Sequence, residues 1–272
     1  MKISISRTAS AELKKTFWDM FFKSKNRGVM LQRHFPWLED NSANASFFEA
    51  TEASVSIGGL VLFETNYVID EKNLKIGLIG LVCVVSESRG MGVASTLLKE
   101  AISHAKRNEF NYLTLWASQQ KFYLPYGFYL MDNWCFGWIY GSLKQAEVKA
   151  AFSFQLHYFL ENKTLPLPPF ADAIYEYVAD NVAFTLLKDK DGVAVVCYEG
   201  EVTEVAHKMV EVLPARWRLN VVKNDPLIHA LADCGVNIDL RPVNLQMWMR
   251  LDQACVSGDL IGRIKMSVLD RI

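Results

Sequence analysis

Residues Leu78 to Val85 read Leu-Ile-Gly-Leu-Val-Cys-Val-Val, and a glycine-bearing turn follows them directly. A run this apolar suits a central strand covered on both faces. The turn, Ser86-Glu87-Ser88-Arg89-Gly90-Met91-Gly92, feeds an amphipathic helix that starts at Val93. Val93, Leu97, Leu98, Ala101, Ile102 and Ala105 form its apolar stripe, while Lys99, Glu100, Lys106 and Arg107 point elsewhere. A buried strand that passes straight into a helix fixes the class as α/β (α+β).

The flanking segments agree. Ala11 to Phe22 has Leu13, Phe17, Met20 and Phe21 at helical spacing, with Ser10 as its cap. His34-Phe35-Pro36-Trp37 breaks the next segment. Strands are expected at Ser46–Ala50, Val55–Glu64 and Leu74–Val85, with a turn at Asp70-Glu71-Lys72-Asn73. Tyr112 to Trp116 reads as a strand and Phe122 to Tyr126 as a short helical turn. Gly127-Phe128 then opens a strand whose expected hairpin partner is Trp134 to Tyr140.

Near Leu143 the pattern changes. A helix is expected over Gln145 to Glu161, with Val148, Ala151, Phe152, Leu156 and Phe159 on one side, and Leu165-Pro166-Leu167-Pro168-Pro169 reads as a linker. Strands follow near Val182–Leu187 and Val193–Cys197, then a helix at Val202–Leu213, a strand at Arg216–Val222 and a helix at Pro226–Asp233. One more helix is expected over Ser257–Ile272. The two halves repeat one order of elements, with little residue identity. The expected division is 1–142, a helix and Pro-rich linker at 143–170, and a smaller second domain at 171–272.

With 29 Lys+Arg against 30 Asp+Glu, the chain lacks the basic excess of a polyanion binder, so nucleic acid is not an expected partner. No apolar run reaches the length of a membrane helix, and a membrane is not an expected partner either. Five scattered cysteines without a CxxC pair read as reduced thiols, with a cytoplasmic location as the expectation. The histidines are scattered too, and no metal site is expected.

The turn at 86–92 carries the chemistry. Glycines at 90 and 92 allow positive φ and close approach of a ligand to the backbone. The first N–H groups of the helix lack internal partners, and the helix dipole favours an anion there. A pyrophosphate held by main-chain amides fits such a cradle. A tight strand-to-helix turn with no ligand uses the same glycines, so the loop alone leaves both readings open. The nucleotide-hydrolase loop Gly-x-x-x-x-Gly-Lys-Ser/Thr is absent, and Ser95 stands where a dinucleotide fingerprint needs its third glycine.

The turn and the segment after it together resemble the GNAT acyltransferase superfamily. That family's loop, Arg/Gln-x-x-Gly-x-Gly/Ala, is filled by Arg89, Gly92 and Ala94. Its Tyr-x-x-x-Gly-Phe is filled by Tyr123, Gly127 and Phe128. The resemblance covers about residues 40–140 and extends over 1–40. The end of the strand at Leu115-Trp116-Ala117-Ser118 and a motif-poor second half also resemble enhanced-intracellular-survival type acetyltransferases, without a counterpart to that type's third domain.

This resemblance implies a GNAT fold with a mixed central sheet, followed by a degenerate GNAT-like domain, and acetyl-CoA as co-substrate. Val82, Cys83 and Val84 would offer backbone groups to the pantetheine arm and the acyl carbonyl. The amides from Gly90 through Met91, Gly92, Val93 and Ala94 to Ser95, behind Arg89, would hold the pyrophosphate. A strand splay beside Val84 would admit the thioester and an amine, from a small molecule or a peptide. Tyr123 would protonate the leaving thiolate, although a tyrosine among Phe122, Tyr126, Phe128 and Tyr129 also serves packing alone.

For the base, Glu64 is the named candidate beside Glu87, Glu49 and Glu52. Each is equally a solvated strand-end carboxylate, and ordered water is the alternative. His34 is a candidate wall of an acceptor pocket built from about Asn26 to Asn44 and Tyr129 to Ser142, or a structural residue beside aromatics.

In the second half the matching loop is Cys197-Tyr198-Glu199-Gly200-Glu201, whose carboxylates would repel a pyrophosphate. Leu231 stands where Tyr123 would be. That half is expected to shape the acceptor cleft or hold the fold together. Its conspicuous surface candidates are Arg216, Trp217 and Arg218, one of which an alternating strand would turn into the core. The readings left open are an N-acyltransferase, an acyl-CoA-binding or regulatory module, and a scaffold; a homodimer stays open as the assembly.

Overall fold

The computed structural model describes residues 1–23, 31–40, 44–141, 159–179, 181–252, 259–264 and 266–271. It divides into two units. One is Met1–Met131 with Leu245–Ile264 and Asp270–Ile272; the other is Asp132–Asn244 with Lys265–Leu269.

The first unit opens on β1 (Lys2–Ser6), which pairs antiparallel at the sheet edge with β2 (Ala45–Glu52). Between them lie α1 (Ala11–Phe21) and the short α2 (Leu31–His34). The Ser10 hydroxyl caps α1 as its spacing suggests, accepting from the Leu13 amide at 2.9 Å. β3 (Val55–Ile69) and β4 (Lys72–Val84) form a long hairpin. Its turn is tighter than expected: Ile69 pairs with Lys72, and only Asp70 and Glu71 sit between, at φ 49° and 62°. Two positive φ values are what a two-residue hairpin turn requires.

Next come α3 (Val93–Arg107), β5 (Tyr112–Trp116), the single turn α4 (Gln120–Tyr123) and β6 (Tyr129–Leu130). The six stripe residues of α3 are all buried and pack into one core with Phe48, Leu113, Leu115 and Phe128. A second core on the α1 side holds Leu13, Phe17, Phe22, Phe35, Phe47, Leu81 and Cys83.

The second unit starts with β7 (Trp134–Tyr140), β8 (Leu160–Glu161), β9 (Ala173–Ala179), β10 (Val182–Asp189) and β11 (Gly192–Glu199). α5 (Val202–Val212), β12 (Arg216–Val222), α6 (Pro226–Asp233) and β13 (Asn237–Pro242) follow. Val205, Ala206 and Met209 of α5 and Leu227 and Leu231 of α6 are buried in its core. β14 (Gln246–Arg250) and α7 (Asp259–Arg263) end the chain's regular elements.

Among the described residues each sheet has seven strands. The first runs β1-β2-β3-β4-β5-β14-β6 and the second β13-β7-β12-β11-β10-β9-β8. The expected hairpin of the Phe128 strand with Trp134–Tyr140 does not form. β7 instead lies antiparallel between β12 and β13, and β14 takes the place beside β5 and β6. The units therefore depart from a linear division near 142 and 171: each sheet takes one strand from across that line. β1 and β9 are strands that the sequence reading passed over. The expected helix at Gln145–Glu161 lies outside the described residues up to 158, beyond which Phe159 is buried and Leu160–Glu161 is a strand. Of the expected helix at Ser257–Ile272, the described residues form a short α7 and a helical turn at Val268–Asp270, and positions 257, 258, 265 and 272 lie outside the described residues.

No described helix is long and apolar enough to cross a membrane.

Candidate active site

β4 ends at Val84 and the chain turns through Ser86–Ser88 into α3. Gly90 and Gly92 have φ of 78° and 77°, and a Cβ placed on either would meet nothing within 4 Å. Only glycine adopts this backbone without strain, and the space beside it is open. Gly92 is the N-cap of α3, and no side chain hydrogen-bonds the helix start. Instead the Thr96 amide and hydroxyl both donate to the Gly92 carbonyl at 3.0 Å. The Arg89 Nε donates to the Val84 carbonyl at 3.3 Å and ties the loop to the strand.

Two irregularities shape the strand edge. β4 and β5 run parallel and pair only over Ile76–Leu78 with Tyr112–Thr114, after which they diverge. The β3–β4 register also shifts, from Gly59 opposite Cys83 to Val61 opposite Gly80, with Leu81 at φ 51° inside the bulge. A leucine in the left-handed region costs about 1–2 kcal/mol, a strain that proteins keep where it serves a site. No residue type announces this bulge in the sequence.

These features open on one cleft of about 570 Å³. The structure brings the predicted cofactor residues together there: Val82, Cys83 and Val84 from the strand, Arg89, Gly90 and Gly92 from the loop, Val93, Ala94 and Ser95 from the helix. Met91 does not line it, and its side chain is 65% exposed. The sequence reading did not assign Met20, Phe21, Ser88 or Phe122, which complete the wall. Met20 and Phe21 extend a stripe whose earlier members, Leu13 and Phe17, are fully in the core. That continuation was the available signal. Among the described lining residues Arg89 is the charged one.

Tyr123 is half-buried and is not among the residues that line the cleft, whereas its neighbour Phe122 is. Its ring meets Phe122 edge-on at 4.9 Å and Phe128 at 6.0 Å. Burial raises its phenol above the ordinary value. Cys83, only 6% exposed, is pushed up to about 12 by burial, against a smaller opposing effect of a hydrogen bond with the Gly59 backbone. That thiol stays protonated and is a poor nucleophile.

The carboxylate candidates lie elsewhere. Glu64 pairs with Lys75 at 3.1 Å, opposite Gly77 and well along the hairpin from the bulge, so the structure does not bring it to the cleft. Glu49 accepts from Ser10 at 2.9 Å, and Glu87 is exposed and accepts from Ser86 at 2.8 Å. Glu52, at the exposed end of β2, is also absent from the lining. His34 is buried and stacks on Phe22 at 4.9 Å, a core role. No group of three or more His, Cys, Asp or Glu among the described residues could hold a metal.

In the second unit the matching helix start is closed. Glu201 caps α5, accepting from the Glu204 amide at 2.9 Å. Backbone hydrogen bonds from Thr203 and then Glu204 hold its carboxyl below the usual range. Leu231 is fully buried. Of the trio on β12, Trp217 is core and Arg218 is buried in a two-pronged pair with Asp189 at 2.7 and 3.0 Å. Arg216 lies over the Trp138 ring at 3.7 Å.

The acetyltransferase (GNAT) domain family matches residues 12–131, the span that holds this cleft. Residues 12–131 therefore form a GNAT N-acetyltransferase domain, a class whose members transfer acyl groups from acyl-CoA to amines. Solved structures share the fold over most of the chain. One is a conserved protein of Enterococcus faecalis V583 described as a probable N-acyltransferase, with TM-score 0.61, 10% identity, and coverage of 92% of this chain and 73% of that one. A GCN5-related N-acetyltransferase from Anabaena variabilis gives 0.60, 11%, 92% and 73%. Eis1 from Mycobacterium abscessus gives 0.59, 12%, 92% and 74%. No curated protein matches the sequence.

Proposed function

We propose that the chain transfers an acyl group, acetyl in the simplest case, from coenzyme A to a primary amine of a small molecule or peptide by direct attack. One observation carries this reading: the uncapped start of α3 and the unpaired edge of β4 open on the same cleft. The Gly90–Ser95 amides suit the pyrophosphate, and the glycines leave the space a diphosphate needs. The backbone N–H groups of Val82–Val84 act on the thioester oxygen as charge develops there.

The amine must attack uncharged. With no carboxylate among the described lining residues, its proton leaves through water at the cleft mouth. The C–N bond forms, the adduct nitrogen loses its extra proton to the same water, the C–S bond breaks, and Tyr123 gives its proton to the departing thiolate and regains one from solvent. At ordinary acidities a phenol of about 10 donating to a thiolate of about 8.5 is uphill by about 2 kcal/mol. Burial makes Tyr123 a weaker acid still and enlarges that gap, so the transfer draws on the negative charge that builds on sulfur as the C–S bond breaks. The neutral Cys83 thiol argues against an acyl-cysteine intermediate.

The test has two parts. Calorimetry on the full chain should show 1:1 binding of CoA and acetyl-CoA, and release of free thiol should follow addition of members of an amine panel. Absence of binding overturns the site. Binding without turnover across the panel overturns the transfer step.

A further inference from the structure

The anion cradle and the strand edge account for two parts of the cleft and leave the wall made by Met20 and Phe21 unused. Both side chains are half-buried, whereas Leu13 and Phe17, earlier on the same stripe, are 1% and 0% exposed. Large apolar groups held partly in water forfeit hydrophobic stabilisation in proportion to the area left uncovered. Their setting is packed. Phe22 lies 6.4 Å from Phe21, stacks on Trp18 at 5.8 Å, and stacks on His34 at 4.9 Å. Met20 and Phe21 pack against the cluster that contains Leu81 and Cys83, and Cys83 lines the same cleft.

The cleft is therefore amphipathic. It combines main-chain donors at the start of α3, a free strand edge and an apolar wall. A coenzyme A thioester with an aliphatic acyl group offers a counterpart to each: charged phosphates, an amide-bearing arm and a hydrocarbon. Acetyl offers one methyl to that wall and leaves most of it wet. On the basis of the transferase reading above, we infer that Met20 and Phe21 form an acyl-chain subsite, which admits acyl groups longer than acetyl and sets their length limit.

The experiment uses the full chain and needs no knowledge of the acceptor. Dissociation constants are measured by calorimetry for CoA and for its acetyl, butyryl, hexanoyl and octanoyl thioesters. The expected result is a fall in Kd of roughly two- to fourfold per added methylene, up to a limit. Met20→Ala and Phe21→Ala should flatten that series while the Kd of free CoA changes less than about twofold. Met20→Trp, which keeps an apolar wall should the alanine variants fold poorly, should move the limit to a shorter chain. If CoA itself fails to bind, the transferase reading falls and the subsite with it. If CoA binds but acetyl-CoA is the tightest thioester, or the series ignores both residues, the subsite alone is overturned.

Discussion

The starts of α3 and α5 are the same local structure put to different ends. Each helix follows a strand through a glycine-bearing turn, and each buries an apolar stripe on its sheet. At α5 the N-cap is Glu201, whose carboxylate accepts from the helix amides and holds the place an anion would take. At α3 the N-cap is Gly92, which has nothing to offer, so the amides face a cleft. On the proposed reading a helix start serves as a ligand site here because a side-chain cap is missing, whereas its twin closes the same place with its own carboxylate.

The strongest way to break this comparison is to give α3 the cap of α5. Gly92→Asp should weaken CoA binding by a hundredfold or more in calorimetry, because a carboxylate then competes with the diphosphate at the same amides. Retained binding would show that the cradle lies elsewhere. Tyr123→Phe asks the same of the second landmark, since the matching Leu231 carries no proton. Turnover should drop about ten- to a hundredfold with the Kd of acetyl-CoA unchanged. The pH profile sharpens this further. The rate should rise with pH as the amine loses its proton, and no alkaline fall should come from Tyr123 below about pH 10, since burial moves the phenol upward.

Glu201→Ala tests the capped side. It should lower the Tm and leave CoA affinity untouched. The folded carboxyl is depressed, so its stabilisation is present above the unfolded value and fades as pH falls through the folded one. The difference in Tm between parent and variant should therefore shrink in acid. The smallest effect is expected at Cys83. Its thiol, near 12, should resist alkylation at pH 8, and Cys83→Ala should change turnover less than about threefold if no acyl-cysteine forms.

Much of this was legible in the sequence for a physical reason. The stripe of α3 and the loop glycines are local signals: one is a periodicity and the other a backbone conformation that few residues tolerate. Partnership between strands is not local. Trp134–Tyr140 has the alternation of a strand, yet nothing in it says which sheet it joins, and proximity to Phe128 favoured the wrong one. The bulge at Leu81 was silent because leucine does not mark positive φ. Glu64 looked available because a sequence does not show Lys75 beside it. Met20 and Phe21 share a stripe with Leu13 and Phe17 in the sequence, and a stripe tells which face is apolar and not where the covering ends.

The insertion of β14 between β5 and β6 has a consequence for biosynthesis. Gln246–Arg250 pairs with Tyr112–Trp116 in register, and every strand of the second sheet is translated before it. A ribosome releasing the chain from its amino end leaves β5 with a bare hydrogen-bonding edge until that late segment emerges. Long-range closure of this kind slows folding and exposes an adhesive edge meanwhile. A fragment cut at residue 142 would keep every glycine of the cradle and still lack the strand that seals its sheet, so shortening the gene to its motif-bearing part should yield aggregates rather than a minimal enzyme.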